Sequence, residues 1–499
     1  MLAFVLATTL CLASVAAPSA SALPALGDGG EMSSSAERAL GDRIAREIYR
    51  SPEYLDDAVL GEYVQGIWRK LMDAARQLGE LPPELDERFA WDVLLLRDRS
   101  VNAFALPGGY MGVHLGLIAA VASEDELASV LGHELSHITQ RHIVRLIGRQ
   151  SQQAPWLLGA MILGALAAAG NPSAAGAVIV GGQAAAAQGQ LNFSRDMERE
   201  ADRVGYGVMT QAGFDPQGFV SMFEKLQQAN RFNDTGDFPY LRSHPLTTER
   251  IADMQARQQL LPHSPPPALT ITHAMLAARA RVLANPEVDN LRAALAQADG
   301  ATYAGMTSAQ QAGVLYGAVM GALGLREFAQ AQGLLERLQA RVRGDARAEY
   351  QFHLLAVEQA LAAGDMPRAR AALAAIPPTP AAAPSRPLLF LRARTWTQGG
   401  SAREAAEQLQ VWLAARPRDA QAWQLLSAAY AAQGQTLRAI RAEAEVQAAR
   451  LDYAAAQDRL RAAQELARQG KTVDHIEASI IDARSREIES LLREQALER

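Results

Sequence analysis

Leu131-Gly-His-Glu-Leu-Ser-His137 puts two histidines four residues apart with a glutamate between them. On an α-helix, positions i and i+4 share one face. His133 and His137 can therefore aim two imidazoles at one cation. Zinc suits imidazole and carboxylate ligands, and a catalytic site keeps one position open for water. Glu134 stands one step round from His133, placed to take a proton from that water during attack on a peptide carbonyl.

A helix must carry these groups. Ser123-Glu-Asp-Glu126 has the form of a capping box, so the helix is expected to begin near Glu124. Leu127, Val130, Leu131, Leu135 and Ile138 form its apolar stripe. Just upstream, Phe89–Leu96 is rich in aromatic and branched residues and reads as a strand. Val101–Leu106 and Tyr110–Val113, joined by Pro107-Gly-Gly109, read as a hairpin. Helical spacing covers Ser35–Tyr49 and Asp56–Leu78, with Ile44, Ile48, Val64, Ile67, Leu71 and Ala75 inward.

A second acidic segment, Ser194-Arg-Asp-Met-Glu-Arg-Glu-Ala-Asp202, lies about 60 residues past the histidines. Glu198 and Asp202 share a face. Glu198 is the natural third ligand, and Asp202 is placed to hold a ligand histidine through its other nitrogen. Asp196 and Glu200 are expected on other faces. His142, five beyond His137, is expected to point away, His114 could start the helix after the hairpin, and His263, His273, His353 and His475 have no partner at metal spacing.

Three motifs in order now make a family resemblance. They are Asn102-Ala-Phe-Ala-Leu-Pro-Gly-Gly109, His133-Glu-Leu-Ser-His137 and Glu198-Arg-Glu-Ala-Asp202. Together they resemble the signature of the peptidases related to CaaX prenyl endopeptidases, over about residues 35–260. The resemblance implies a gluzincin-type metallopeptidase fold with one zinc, His133, His137 and Glu198 as ligands and Glu134 as base. Gln140 and Ile143 stand where metzincins have Gly and His, which argues against that class. Ser243-His-Pro-Leu-Thr-Thr-Glu-Arg250 also resembles a segment of secreted members of the family. There the histidine matching His244 occupies the open zinc position and restrains the enzyme. Donation to the oxyanion in the transition state is the alternative role for His244.

The surrounding chain sets the context. Its 499 residues predict two to four domains, and the net charge of −6 is well mixed, so nothing points to nucleic acid. Residues 1–22 have an apolar run and an Ala20-Ser-Ala22 cleavage site, the pattern of a signal peptide, although no Lys or Arg precedes the run. A retained membrane anchor is the alternative. Cys11, the single cysteine, lies inside that run, so a cleaved form has no thiol. Residues 150–190 are Ala- and Gly-rich, with each apolar run shorter than the roughly 20 residues that span a bilayer. A mobile helical hairpin or lid beside the active site, a buried core helix, and a re-entrant or membrane-surface segment making peripheral membrane contact are the three readings.

Residues 261–269 are a Pro-rich linker, and 270–499 are expected to be an α-solenoid of tetratricopeptide repeats. Ala393, Trp396, Gly400 and Ala405 recur as Ser427, Tyr430, Gly434 and Ala439, each 34 residues on. Such repeats bind partners. The fold class is therefore mainly α: an α+β catalytic domain with a small sheet, then helical repeats. The function the resemblance implies is a periplasmic zinc endopeptidase acting on misassembled envelope proteins, with outer-membrane assembly machinery docked on the repeats. A chaperone or scaffold with a largely inhibited zinc site is the alternative.

Overall fold

The computed structural model describes residues 32–149, 194–231, 238–259, 269–377, 385–469 and 474–497. The signal peptide, the whole 150–190 segment and nearly all of the Pro-rich linker lie outside the described residues. Among the described residues no helix is long and apolar enough to cross a membrane.

The chain opens with α1 (Ser34–Arg50), α2 (Ala58–Leu78) and the short α3 (Pro83–Arg88). Strands β1 (Asp92–Leu96), β2 (Ala103–Leu106) and β3 (Tyr110–His114) form one sheet in the order β1-β3-β2. The expected hairpin is present: β2 runs antiparallel to β3 with Ala105 opposite Met111, while β1 adds on parallel to β3. This leaves β2 as the sheet edge nearest the next helices.

After α4 (Leu115–Ala120) comes α5 (Glu124–Thr139), which carries the histidine pair. Ser123 Oγ caps it by accepting the Glu126 N–H at 3.1 Å. The reciprocal half of a capping box is replaced: the Glu126 carboxylate accepts the Ala122 N–H and pairs with Lys225 at 2.7 Å. Leu127, Leu131 and Leu135 are at most 1% exposed, so each stabilises the buried helix by about 2 kcal/mol. Helix α6 (His142–Arg149) follows a break at Arg141, whose φ of 52° ends the α5 path.

Helix α7 (Arg195–Gln211) is capped by Ser194 and carries the second acidic segment. It lies directly against α5 because both helices have glycine at the crossing. A β-carbon on Gly205 would sit 3.0 Å from the backbone of Gly132 and of His133. Helices α8 (Gln217–Arg231), α9 (Tyr240–Ser243) and α10 (Thr248–Gln259) complete this half.

Helical hairpins make up the rest. Helix α11 (Ile271–Ala284) packs on α4, and α12 (Val288–Gln297) follows. Antiparallel pairs then run Ser308–Gly324 with Phe328–Val342, Ala346–Ala362 with Met366–Ala374, Arg386–Gln398 with Ala402–Ala415, and Ala420–Ala432 with Thr436–Ala449. Tyr453–Gln469 and His475–Leu497 end the chain. Glycines explain the turns between paired helices: Gly364, Gly400 and Gly434 have φ of 72°, 89° and 72°, backbone that side chains rarely adopt. Small repeat residues seal the pairs, as where Ser427 Oγ donates to the Ala439 carbonyl at 3.0 Å.

The two halves share buried surface. One apolar cluster includes Leu40 and Leu71 from the first helices, Leu131 from α5, and Leu276, Leu354 and Leu451 from the helical hairpins. Two adjacent acids reinforce it. Asp57 pairs with Arg279 at 2.6 Å, and Asp56 with Arg386 at 2.7 Å. Arg279 also holds Glu358, and Arg386 also holds Asp419.

Candidate active site

Helices α5 and α7 and the loop after α9 bring His133, His137, Glu198 and His244 to one buried point, where one ligand atom from each lies within 4.8 Å of the others. His133 Nε2 and His137 Nε2 are 3.0 Å apart, and His244 Nδ1 is 3.3 Å from His133 Nε2. Glu198 Oε1 is 3.0 Å from His244 Nδ1 and 3.4 Å from His137 Nε2. Zinc with ligands at about 2.0–2.1 Å in a tetrahedron needs ligand atoms roughly 3.3 Å apart. These separations fit that figure, and the donor set of imidazole and carboxylate is the one zinc prefers.

The electrostatics agree with a cation site. Burial pushes the His137 pKa well below the ordinary histidine value, which keeps the ring neutral with a lone pair free for a metal. Burial opposes charge on His133 too, but hydrogen bonds to Asp202 and Glu198 prevail and raise its pKa to about 9. Basicity toward a proton is also basicity toward a metal. Burial alone would raise Glu198; the neighbouring His244 and His133 hold it well below the carboxylate range, so it stays anionic.

Asp202 lies behind His133, its Oδ1 3.0 Å from His133 Nδ1, as expected from the shared face with Glu198. The residue that completes this arrangement was not singled out in the sequence. Arg250, 3% exposed, donates Nε and Nη2 to the two Asp202 oxygens at 2.7 and 2.8 Å. Its Nη1 donates to the Pro245 carbonyl at 2.9 Å and lies 2.7 Å from Glu198 Oε2. One guanidinium thus pairs with two buried carboxylates and fixes the loop bearing His244. Two buried acids one helical turn apart require a counter-charge, and that was the available signal.

Glu134 points to the same centre. Its Oε2 accepts the Ala105 N–H of edge strand β2 at 2.9 Å, and its Oε1 is 3.4 Å from His244 Nε2. Burial raises its pKa above the usual carboxylate value. His244 is itself clamped, stacked on Tyr240 with ring centroids 4.5 Å apart.

One expectation is corrected. His142 does not point away: its Nδ1 is 2.9 Å from His137 Nδ1. Five residues along an unbroken helix would turn the side chain by about 140°. Here α5 stops, and the left-handed Arg141 swings the first residue of α6 back under His137. Glu200, two residues past Glu198 and outside the ligand cluster, meets His142 Nε2 through its Oε2 at 3.0 Å. His114 is also engaged, through Ser100 Oγ at 2.9 Å, and His273 through Tyr63 at 2.7 Å, both away from the ligand cluster.

Comparison with known proteins agrees with this geometry. Residues 62–258 match the model of peptidase family M48. Over 450 residues the chain is 30% identical to the beta-barrel assembly-enhancing protease of Escherichia coli, covering 88% of this chain and 86% of that protein. The chain belongs to the M48 metallopeptidases, in the family of the beta-barrel assembly-enhancing proteases. A putative beta-barrel assembly-enhancing protease of Vibrio cholerae is 32% identical over 333 residues, which is 66% of this chain and 65% of that protein. The mitochondrial metalloendopeptidase OMA1 of Saccharomyces cerevisiae is 27% identical over 196 residues, 38% of this chain and 54% of its own length. Membership implies a divalent metal for this M48 peptidase, and the ligand cluster is where the residues fit one.

Proposed function

We propose that this M48 peptidase is a periplasmic zinc endopeptidase of outer-membrane protein quality control, with His133, His137 and Glu198 holding one zinc and Glu134 as the general base. The convergence of four buried ligand atoms at tetrahedral spacing, beside a buried glutamate, carries this reading. Bound there, zinc supplies Lewis-acid polarisation of a peptide carbonyl and acidifies water. Glu134 receives the proton of the attacking water and later delivers it to the leaving nitrogen. Asp202, pinned by Arg250, holds His133 in the tautomer that presents Nε2 inward. Strand β2 lies beside Glu134, so an extended substrate pairing along that edge would lie across the ligand cluster.

Protein substrates follow from the peptidase family. The relatives named for beta-barrel assembly support a role at the outer membrane, and the helical hairpins supply a surface for its assembly machinery. A cleft of about 640 Å³ between the first helices and the hairpins, lined by Arg69, Asp92, Trp412, Arg418 and Arg450 among others, is the place for a partner segment.

A second reading has its own support. His244 already sits among the ligand atoms, where its nitrogen would take the position that water needs. A scaffold or chaperone with a restrained zinc site would look like this. Metal analysis together with casein cleavage, wild type against Glu134→Gln, tests the enzyme. Equal zinc with turnover reduced about 10²–10⁴-fold is expected, and undiminished zinc-dependent cleavage would overturn the base. Complementation separates the readings: the peptidase role is lost in Glu134→Gln, and the scaffold role survives.

A further inference from the structure

The geometry points to His142 and Glu200 as positioning residues for the zinc ligand His137, acting as a hydrogen-bonded imidazole–carboxylate relay. This rests on His137 being a ligand through Nε2, the nitrogen that faces His133 and Glu198.

One proton arrangement satisfies these contacts. A neutral histidine that gives its Nε2 lone pair to a metal carries its proton on Nδ1. His137 Nδ1–H therefore donates to His142 Nδ1 across 2.9 Å. That nitrogen must present a lone pair, so the His142 proton is on Nε2. It faces Glu200 Oε2 at 3.0 Å, an obligate acceptor. Arg145 Nη1 donates to the same Oε2 at 2.9 Å and anchors the end of the chain. Every donor meets an acceptor in this direction, and reversing it would leave the Glu200 carboxylate facing a lone pair.

The arrangement has a counterpart on the other side. His133 meets its carboxylate directly, with Asp202 held by Arg250. His137 meets its carboxylate through an intervening ring, with Glu200 held by Arg145. Both ligand histidines thus end on an arginine-anchored carboxylate. His142 is fully buried, whereas the Glu200 side chain is 33% exposed, so the relay runs from the metal centre to the protein surface at the start of α6. The exposed end tolerates substitution better than the buried one.

The test uses the full-length chain, stripped with chelator and titrated with zinc against a competing chromophoric chelator, with Co²⁺ ligand-field spectra recorded in parallel. His142→Phe keeps bulk and removes both hydrogen bonds; zinc affinity should fall about 10–100-fold and the Co²⁺ bands should shift. His142→Gln can accept from His137 and donate toward Glu200, so it should recover most of the loss. Glu200→Ala should weaken binding several-fold, and it decides the matter if the Phe variant does not fold. Wild-type zinc affinity and spectrum in His142→Phe, a Gln variant as weak as Phe, or an unchanged Glu200→Ala would each overturn the relay. Wild-type protein that binds no zinc would instead overturn the ligand assignment on which the relay rests.

Discussion

Gly205 of α7 lies against Gly132 of α5 so closely that a β-carbon on Gly205 would come within 3.0 Å of the Gly132 carbonyl and the His133 nitrogen. That contact sets the distance between the helix bearing His133 and the helix bearing Glu198. In Gly205→Val the helices must separate. Overpacking of this kind costs about 1–3 kcal/mol, and the ligand atoms should spread beyond tetrahedral spacing. A lowered melting temperature with much reduced zinc retention is expected. Full zinc binding in a folded Gly205→Val protein would show that the spacing has another origin.

Arg250 is the buried counter-charge of Asp202 and Glu198. Arg250→Met should leave two buried carboxylates without their cation and cost about 3–5 kcal/mol. Denaturant unfolding of metal-free protein measures it. A loss below about 1 kcal/mol would mean that the carboxylates find water or another partner.

His244→Ala should raise proteolysis and self-cleavage while zinc content stays nearly constant, because the ring occupies a position within the ligand cluster. Donation to the oxyanion instead predicts a fall of about 10²–10³-fold. The sign of the change in a peptide-cleavage assay separates the two roles.

Arg279 is 5% exposed and bridges Asp57 to Glu358. Arg279→Met should place two carboxylates together without a cation, again at about 3–5 kcal/mol. Thermal unfolding should show the loss in the catalytic half as well as in the hairpins. Unfolding of the hairpins alone would contradict the shared core.

The legible parts of this molecule are local. The hairpin, the α5 cap, the histidine pair and the Glu198–Asp202 face all follow from spacings of a few residues, and the 34-residue repeat marks its helix turns by glycine. What escaped the sequence is non-local or depends on one dihedral angle. The return of His142 toward His137 hangs on the left-handed Arg141, and no periodicity announces a break between two helical segments. The pairing of Gly132 with Gly205 joins residues far apart in sequence, as does the Arg250 bridge. Arg279 and Arg386 lie more than 200 residues from Asp56 and Asp57 in sequence, and only the folded chain reveals that they grip them.

The apolar cluster that holds Leu40 and Leu131 also holds Leu451, and Arg50 of α1 pairs with the neighbouring Asp452 at 2.8 Å. A growing chain thus lacks part of the apolar cluster that includes its metal helix until residue 451 has been made. The order of synthesis becomes a delay: the motif for peptide hydrolysis is completed early, yet its scaffold closes late. Chains arrested before residue 451 should be digested by added protease across α5, and chains arrested beyond the final helices should resist.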